Sequence, residues 1–278
     1  MPELPEVETV CQTIAPHVLG RRISAVRIHE RRLREPIARG LESTLIGRTI
    51  RGVRRRAKYI LLDVGGGFGG AIGDGEPLLW VIHLGMSGRL VVGDPPAGLG
   101  HVHVTADLAG GVRLYFRDPR RFGLMRLVSD ESELGALGVE PLGDEFDGDF
   151  LWGLRSRHRG VSVKALLLDQ RRIAGLGNIY VNEALFRAGI RPTRRFARLK
   201  RADVDRIAEA VRWVLRRAID SRGSSLLDYR DADGNAGEFQ RTLRVYDRAG
   251  EPCRACGSPV RRSVLGGRSS FYCPSCQH

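Results

Sequence analysis

Apolar residues recur at three- and four-residue steps near the start of the chain. Val7, Val10, Cys11, Ile14 and Val18 share one face and Pro5 suits a first turn, so the spacing predicts a helix over 4–18. The period then drops to two. RISAVRI alternates, and TIRGVRRRAKYILLDV reads as a strand pair or one long strand. LLWVIHLGMSGRLVV and HVHVTADLAGGVRLYFRD continue the pattern, the latter with a Gly-Gly hairpin turn. One helix followed by many strands predicts a β-sandwich or barrel. The glycine-rich VGGGFGGAIGDGEP, including 65–75, reads as a surface loop and suggests no function.

Beyond residue 150 the period lengthens again. VSVKALLLD and NIYVNEALFRAG predict two helices joined by QRRIAGLG. ADVDRIAEAVRWVLRRAID predicts a third, with Val204, Ile207, Val211, Val214 and Leu215 on its apolar face. Two helices around a glycine-containing turn resemble a helix-turn-helix, and the second helix would point free backbone N–H groups at a phosphate. The expected class is α+β in two domains.

Charge sharpens this picture. The 278 residues carry 45 Lys+Arg against 32 Asp+Glu, a net charge of +13. Such a surplus points to a polyanionic partner, nucleic acid before anionic membrane. No amphipathic helix joins a basic face to large apolar anchors, which disfavours membrane attachment. No apolar run reaches about 18 residues and no export signal opens the chain, so neither a spanning helix nor secretion is expected. A hydrophobic share of 42% excludes wholesale disorder. Between two basic segments lies DESELGALGVEPLGDEFDGDF, with eight acids and no base, which is read as a domain boundary. The alternative is an acidic loop within a single domain.

Cysteines concentrate at the C-terminal end. Cys253-x2-Cys256 and Cys273-x2-Cys276, sixteen residues apart, offer four thiolates for one tetrahedral zinc ion. Two disulfides are the weaker alternative in a chain without an export signal. A four-cysteine site is coordinatively closed, so its zinc is structural. Cys11 falls on the apolar helix face and reads as core.

The first residues carry a further possibility. Methionine before a small residue is commonly trimmed, which would expose Pro2 as a secondary amine with a pKa near ~8 for an α-amino group. Attack on a sugar C1′ would yield an iminium ion, the electron sink needed to break a glycosidic bond and then eliminate phosphate. Glu3 stands next to it. The bland reading is that many chains begin Met-Pro and that Glu3 only favours a helix N-terminus.

PELPEVE, RRRAKYILL, HLGMSGRL, DPRRFG, GLGNIYVNEALFRAGI and the CxxC pairs ending RSSFYCPSCQ follow in order from residue 2 to 277. Together they resemble the bacterial formamidopyrimidine-DNA glycosylase family. The resemblance implies a β-rich catalytic domain over 1–130 and an acidic linker over 131–150. It also implies a helix-two-turn-helix domain over 151–240 and a zinc finger over 241–278. It implies a bifunctional glycosylase/AP lyase of base excision repair acting on oxidised purines in duplex DNA, by a monomer in the bacterial cytoplasm. In this alignment of motifs Pro2 is the Schiff-base nucleophile, Glu3 the acid of base release, Lys58 the proton donor of β-elimination and Arg268 the hairpin arginine of δ-elimination. Met86, Arg120 and Phe122 fill the gap left by an everted base. Asn178, at the start of the second helix, contacts phosphate, and Lys164, Arg159 and His101 fall at DNA-contacting positions. His101 and His103 read as a solvated pair on one strand face. One departure is Leu227, where some relatives carry a lysine in the loop SSLLDYRDADGNAGEF that covers the extruded base.

Two other functions stay open. Endonuclease VIII-like relatives share the proline chemistry but prefer oxidised pyrimidines; HLGMSGRL and DPRRFG resemble the purine branch instead. A zinc-ribbon protein that merely binds nucleic acid would have no need of an exposed secondary amine.

Overall fold

The computed structural model describes residues 2–66, 76–225 and 231–278. The first helix forms where the apolar spacing predicts it: α1 is Leu4–Val18. Then follow β1 (Ile23–Ile28), a short α2 (Leu41–Leu45), β2 (Thr49–Arg56), β3 (Tyr59–Gly65), β4 (Leu78–His83), β5 (Arg89–Val92), β6 (Val102–Leu108), β7 (Val112–Arg117) and β8 (Leu124–Val128). TIRGVRRRAKYILLDV is thus a strand pair, turned at Ala57 and Lys58.

The strands make two antiparallel four-stranded sheets, ordered β1-β6-β7-β5 and β2-β3-β4-β8. No strand pairing joins them among the described residues, which decides for a sandwich over a barrel. One core takes Ile14 and Val18 from α1, Ile60, Leu62, Trp80 and Ile82 from one sheet, and Val104, Leu114 and Phe116 from the other. Each such side chain contributes about 1.5–3 kcal/mol on leaving water. Cys11 is buried, and that burial pushes its thiol up to about 12. It is plain core.

The rest is helical. α3 is Gly148–Leu154, capped by Asp147, whose carboxylate accepts the Phe150 N–H at 2.7 Å. The sequence pattern predicted no helix there. α4 (Val163–Leu168) is capped by the Ser162 hydroxyl, α5 (Asn178–Ala188) stops at left-handed Gly189, and α6 spans Arg201–Asp220. A hairpin of β9 (Arg261–Leu265) and β10 (Arg268–Tyr272) turns through Gly266 and Gly267, both at positive φ. The acidic stretch is not featureless. Asp130 caps a 3₁₀ turn, and Glu131 pairs with Arg54 and Arg56.

The chain divides into two units, Met1–Gly135 with Arg222–Glu238, and Ala136–Ser221 with Phe239–His278. Residues 222–238, which the sequence reading grouped with the preceding helices, pack in the first unit. There Ala232 joins the sandwich core and its carbonyl accepts from Val92. No helix among the described residues is long and apolar enough to cross a membrane.

Candidate active-site and DNA-contact residues

Pro2 and Glu3 are buried at the start of α1. Glu3 is the N-cap, and the Glu6 carboxylate reaches back to accept the Glu3 N–H at 2.8 Å, a reciprocal capping box. The other Glu6 oxygen accepts the Ser224 N–H at 2.7 Å. Gly223 lies so close to Glu6 that a Cβ there would stand 2.8 Å from its oxygen. One buried carboxylate therefore holds both the first residues and the backbone at Gly223 and Ser224.

Lys58 sits in the two-residue turn between β2 and β3 and is largely buried. Its charge acts on His83, the last residue of β4. Burial, then the Lys58 charge and that of Arg34, hold the His83 pKa down to about 4, so its imidazole is neutral at pH 7. The Nδ1 of His83 accepts the Gly85 N–H at 3.0 Å, and its ring lies 5.0 Å from that of Tyr59.

Met86 and Phe122 project from neighbouring loops of the first unit, 40% and 43% exposed. The loops are packed backbone to backbone, since a Cβ on Gly85 would collide with the main chain of Phe122. The Arg120 guanidinium lies over the Phe122 ring, 4.8 Å from its centroid, a cation–π pairing. The three candidate void-filling residues thus share one exposed tip. His101 is exposed, in a left-handed turn ahead of β6. The solvated His101/His103 pair is not found. His103 is buried, its Nε2 2.7 Å from the Asp118 carbonyl, and the turn at His101 ends the alternation that would have put both on one face.

In the second unit, Asn178 opens α5 after the N-cap Gly177, and its side-chain amide donates to the Ser269 carbonyl at 3.0 Å. The Lys164 ammonium donates to the same carbonyl at 2.7 Å and to the Ser270 hydroxyl at 2.8 Å. Asn182 accepts the Phe271 N–H at 2.8 Å. Three side chains from α4 and α5 therefore grip β10 immediately after Arg268, which is exposed just past the Gly266-Gly267 turn. The sequence reading put Lys164 among residues that touch DNA. It is instead 0% exposed, and its charge is spent on the hairpin. Arg159 is exposed in the turn before α4.

The four cysteine sulfurs lie within 4.8 Å of one another, with Cys253 and Cys276 3.9 Å apart and Cys256 and Cys273 3.4 Å apart. Thiolates about 2.3 Å from a tetrahedral zinc stand about 3.8 Å from each other, so the set fits that ion. Hydrogen bonding from Ser258 draws the Cys256 thiol down to about 6, whereas burial pushes those of Cys273 and Cys276 up, so these thiols must lose their protons as a metal binds. Backbone N–H groups of Ala255 and Cys276 point at Cys253 and Cys273, both at 3.4 Å.

Three family models match along the chain. The formamidopyrimidine-DNA glycosylase N-terminal domain covers residues 1–125, the H2TH domain of the same enzymes 137–229, and a zinc finger found in FPG and IleRS 250–278. The formamidopyrimidine-DNA glycosylases of Cereibacter sphaeroides strain KD131 and Cupriavidus pinatubonensis are each 47% identical to this chain, with 100% of both sequences covered. The chain belongs to the formamidopyrimidine-DNA glycosylase family.

Solved structures agree. The MutM (Fpg) protein from Thermus thermophilus superposes with a TM-score of 0.83 at 40% identity, over 99% of this chain and 98% of that one. The Lactococcus lactis Fpg in complex with DNA containing an abasic site gives 0.86 at 31% identity, with 100% of both chains covered. The expected two-part α+β fold, the four-cysteine zinc finger and the family resemblance all stand. Formamidopyrimidine-DNA glycosylases are base-excision-repair enzymes, and AP lyase activity is general among them. Leu227 and residues 67–75 of the glycine-rich loop lie outside the described residues.

Sequence reasoning missed the contacts of Glu6 and His83. Glu6 had a signal, because a carboxylate three residues after an N-cap is capping-box spacing. Lys164 yields a prediction. Lys164→Met should lower stability by about 1–3 kcal/mol, the scale of losing buried hydrogen bonds from a charged donor, and weaken DNA binding. Urea unfolding and a binding titration measure both; unchanged stability would show the hairpin does not depend on the ammonium.

Proposed function

We propose that this chain is a bifunctional DNA glycosylase/AP lyase that removes oxidised purines, chiefly 8-oxoguanine and formamidopyrimidines. It forms a Schiff base at Pro2 and cleaves the strand by β,δ-elimination. The observation that carries this reading is the placement of Pro2 and Glu3, buried together at the capped start of α1 with Lys58 buried in the same unit.

After removal of Met1, the Pro2 nitrogen attacks C1′. The damaged base departs with the bonding pair and is protonated, while Glu3 supplies the proton that opens the sugar ring. The iminium ion then takes up the electron pair of the C2′–H bond as that proton leaves. The resulting enamine returns a pair to form the C2′–C3′ double bond while the 3′ phosphate departs with the C3′–O electrons, with Lys58 donating a proton to the leaving group. Arg268 serves the second elimination and, with Asn178, Arg159 and His101, binds phosphates. Lys164 acts through the hairpin. The zinc ion would be held by Cys253, Cys256, Cys273 and Cys276 and takes no part in the reaction.

Borohydride trapping on a duplex with 8-oxoguanine opposite cytosine tests the reading, and a covalent adduct is expected. Stronger trapping on an oxidised-pyrimidine duplex would move the chain to the endonuclease VIII-like branch; none on either duplex would leave a non-catalytic binder. The working form is read as a monomer acting on DNA in the bacterial cytoplasm. A light-scattering mass near 30.8 kDa checks the first part.

Arg120 supports a sharper test. With the purine everted, cytosine's O2 and N3 lose their partners, and a guanidinium in the void donates to both. Adenine presents an amino donor on that edge instead. Arg120→Ala should narrow the preference for cytosine over adenine opposite the lesion by roughly ten- to a hundredfold. Single-turnover rates on the two duplexes measure it, and an unchanged ratio refutes the role.

A further inference from the structure

The two loops that present Met86, Arg120 and Phe122 are tied to a single carboxyl group. Asp118 is 0% exposed. Its Oδ1 accepts the Ser87 hydroxyl at 2.6 Å and the Arg120 N–H at 3.3 Å, and its Oδ2 accepts the Gly123 N–H at 2.7 Å. Its backbone carbonyl accepts the Arg121 N–H at 3.2 Å and stands 2.7 Å from His103 Nε2. The Ser87 oxygen also accepts the Arg120 N–H at 3.2 Å, so the residue that follows Met86 is bonded to the residue that carries the guanidinium.

The ends of this loop are held under constraint. Arg121 takes a positive φ of 57°, unfavourable for a residue with a side chain. Gly123 fits only because it lacks a Cβ, which would stand 2.6 Å from the Phe116 ring and 3.0 Å from the Asp118 carboxyl. Meanwhile two large apolar side chains are left projecting into water. Groups so exposed would relax into the surface unless the backbone beneath them were fixed. Order held in advance by buried hydrogen bonds need not be supplied at binding.

We propose that Asp118, with Ser87 as its link, is the positioning residue that holds Met86, Arg120 and Phe122 ready for insertion. It sets how well the enzyme discriminates the opposing base without touching DNA itself. This rests on the reading of those three residues given above. Asp118→Asn is the informative change. Its amide has nearly the same shape but one acceptor oxygen instead of two, so in either orientation an N–H group faces a donor: Gly123 in one, Ser87 and Arg120 in the other. Ser87→Ala cuts the link alone and leaves the carboxyl group in place.

Two readouts test the proposal. The first uses the free protein. Limited trypsin digestion, read by mass spectrometry at the bonds after Arg120 and Arg121, should be about tenfold faster in both variants, as expected for a local opening made easier. Unchanged cleavage overturns the anchoring. The second uses DNA. Single-turnover release of 8-oxoguanine opposite cytosine and opposite adenine should show the preference narrowed by about tenfold in Asp118→Asn. Borohydride trapping on single-stranded DNA with a preformed abasic site, which has no opposing base, should match the unaltered protein. Equal loss in both assays means general damage to the fold and overturns the proposal. So does an unchanged preference in Asp118→Asn when Arg120→Ala alters it. If Arg120→Ala leaves the preference unchanged, the reading of Arg120 has failed, whereas the trypsin result still decides the anchoring. Adding Asp118→Asn to Arg120→Ala should narrow the preference no further, because both act through one side chain.

Discussion

Pro2→Gly protein is expected to lose release of 8-oxoguanine by roughly a thousandfold or more, the scale seen when an enzyme loses its nucleophile. A glycine amine is primary and lacks the ring that fixes its direction, so both reactivity and aim are lost. Binding to duplex DNA with an abasic-site analogue should stay close to that of the unaltered protein, since Pro2 supplies little of the phosphate contact that dominates affinity. A form retaining Met1, or carrying an N-terminal tag, should fail in the same way because its Pro2 nitrogen is an amide. Glu6 makes the comparison clean. It holds the Glu3 N–H and the Ser224 N–H whatever stands at position 2. Single-turnover kinetics and borohydride trapping are the measurements, and undiminished cleavage by either form would sink the proline chemistry.

Removing zinc should have the second-largest effect. The module around the cysteines has a small core of its own, Val245, Cys253, Val260, Phe271 and Cys273. A cluster that size cannot offset the conformational entropy of its chain without the metal. Chelation should therefore unfold residues 253–276 while the sandwich, with its separate core, stays intact. Affinity for duplex DNA should fall by about a hundredfold if Arg268 makes the phosphate contact proposed for it. Metal analysis should find one zinc per chain, and hydrogen exchange should show protection lost only in the hairpin. Protein purified without chelator and free of zinc would refute this, as would a hairpin still protected after stripping.

What the sequence disclosed, and what it concealed, divides along a physical line. Helix α1 was legible because Val7, Val10, Ile14 and Val18 must share a face to be buried, whatever they are buried against. The four cysteines were legible because two CxxC knuckles have few other uses. Lys164 was not. Its ammonium is buried by partners more than a hundred positions away, Ser269 and Ser270, and no local pattern announces that. His103 looked solvated for the same reason, its partner being the carbonyl of Asp118 fifteen residues on. Asp118 itself stood in plain view in DPRRFG, but an aspartate before proline first reads as a turn former. The resemblance pointed to the arginine and phenylalanine of that motif; only three-dimensional contacts reveal what holds them.

The return of residues 222–238 to the first unit bears on how the protein is made. At the ribosome the sandwich emerges first, yet Ala232, buried in its core, and Ser224, bonded to Glu6, are still to come. The 86 residues of Ala136–Ser221 must be translated in between. At the usual rate of about 5–20 residues per second, that is a wait of roughly 4–17 s. During it, Glu6 lacks its Ser224 donor and the sandwich lacks part of its core. A nascent chain halted before residue 222 should therefore be easier to digest with protease than one released after residue 238. Pro2, which leaves the tunnel ahead of the whole sandwich, would be among the last residues to acquire their final surroundings.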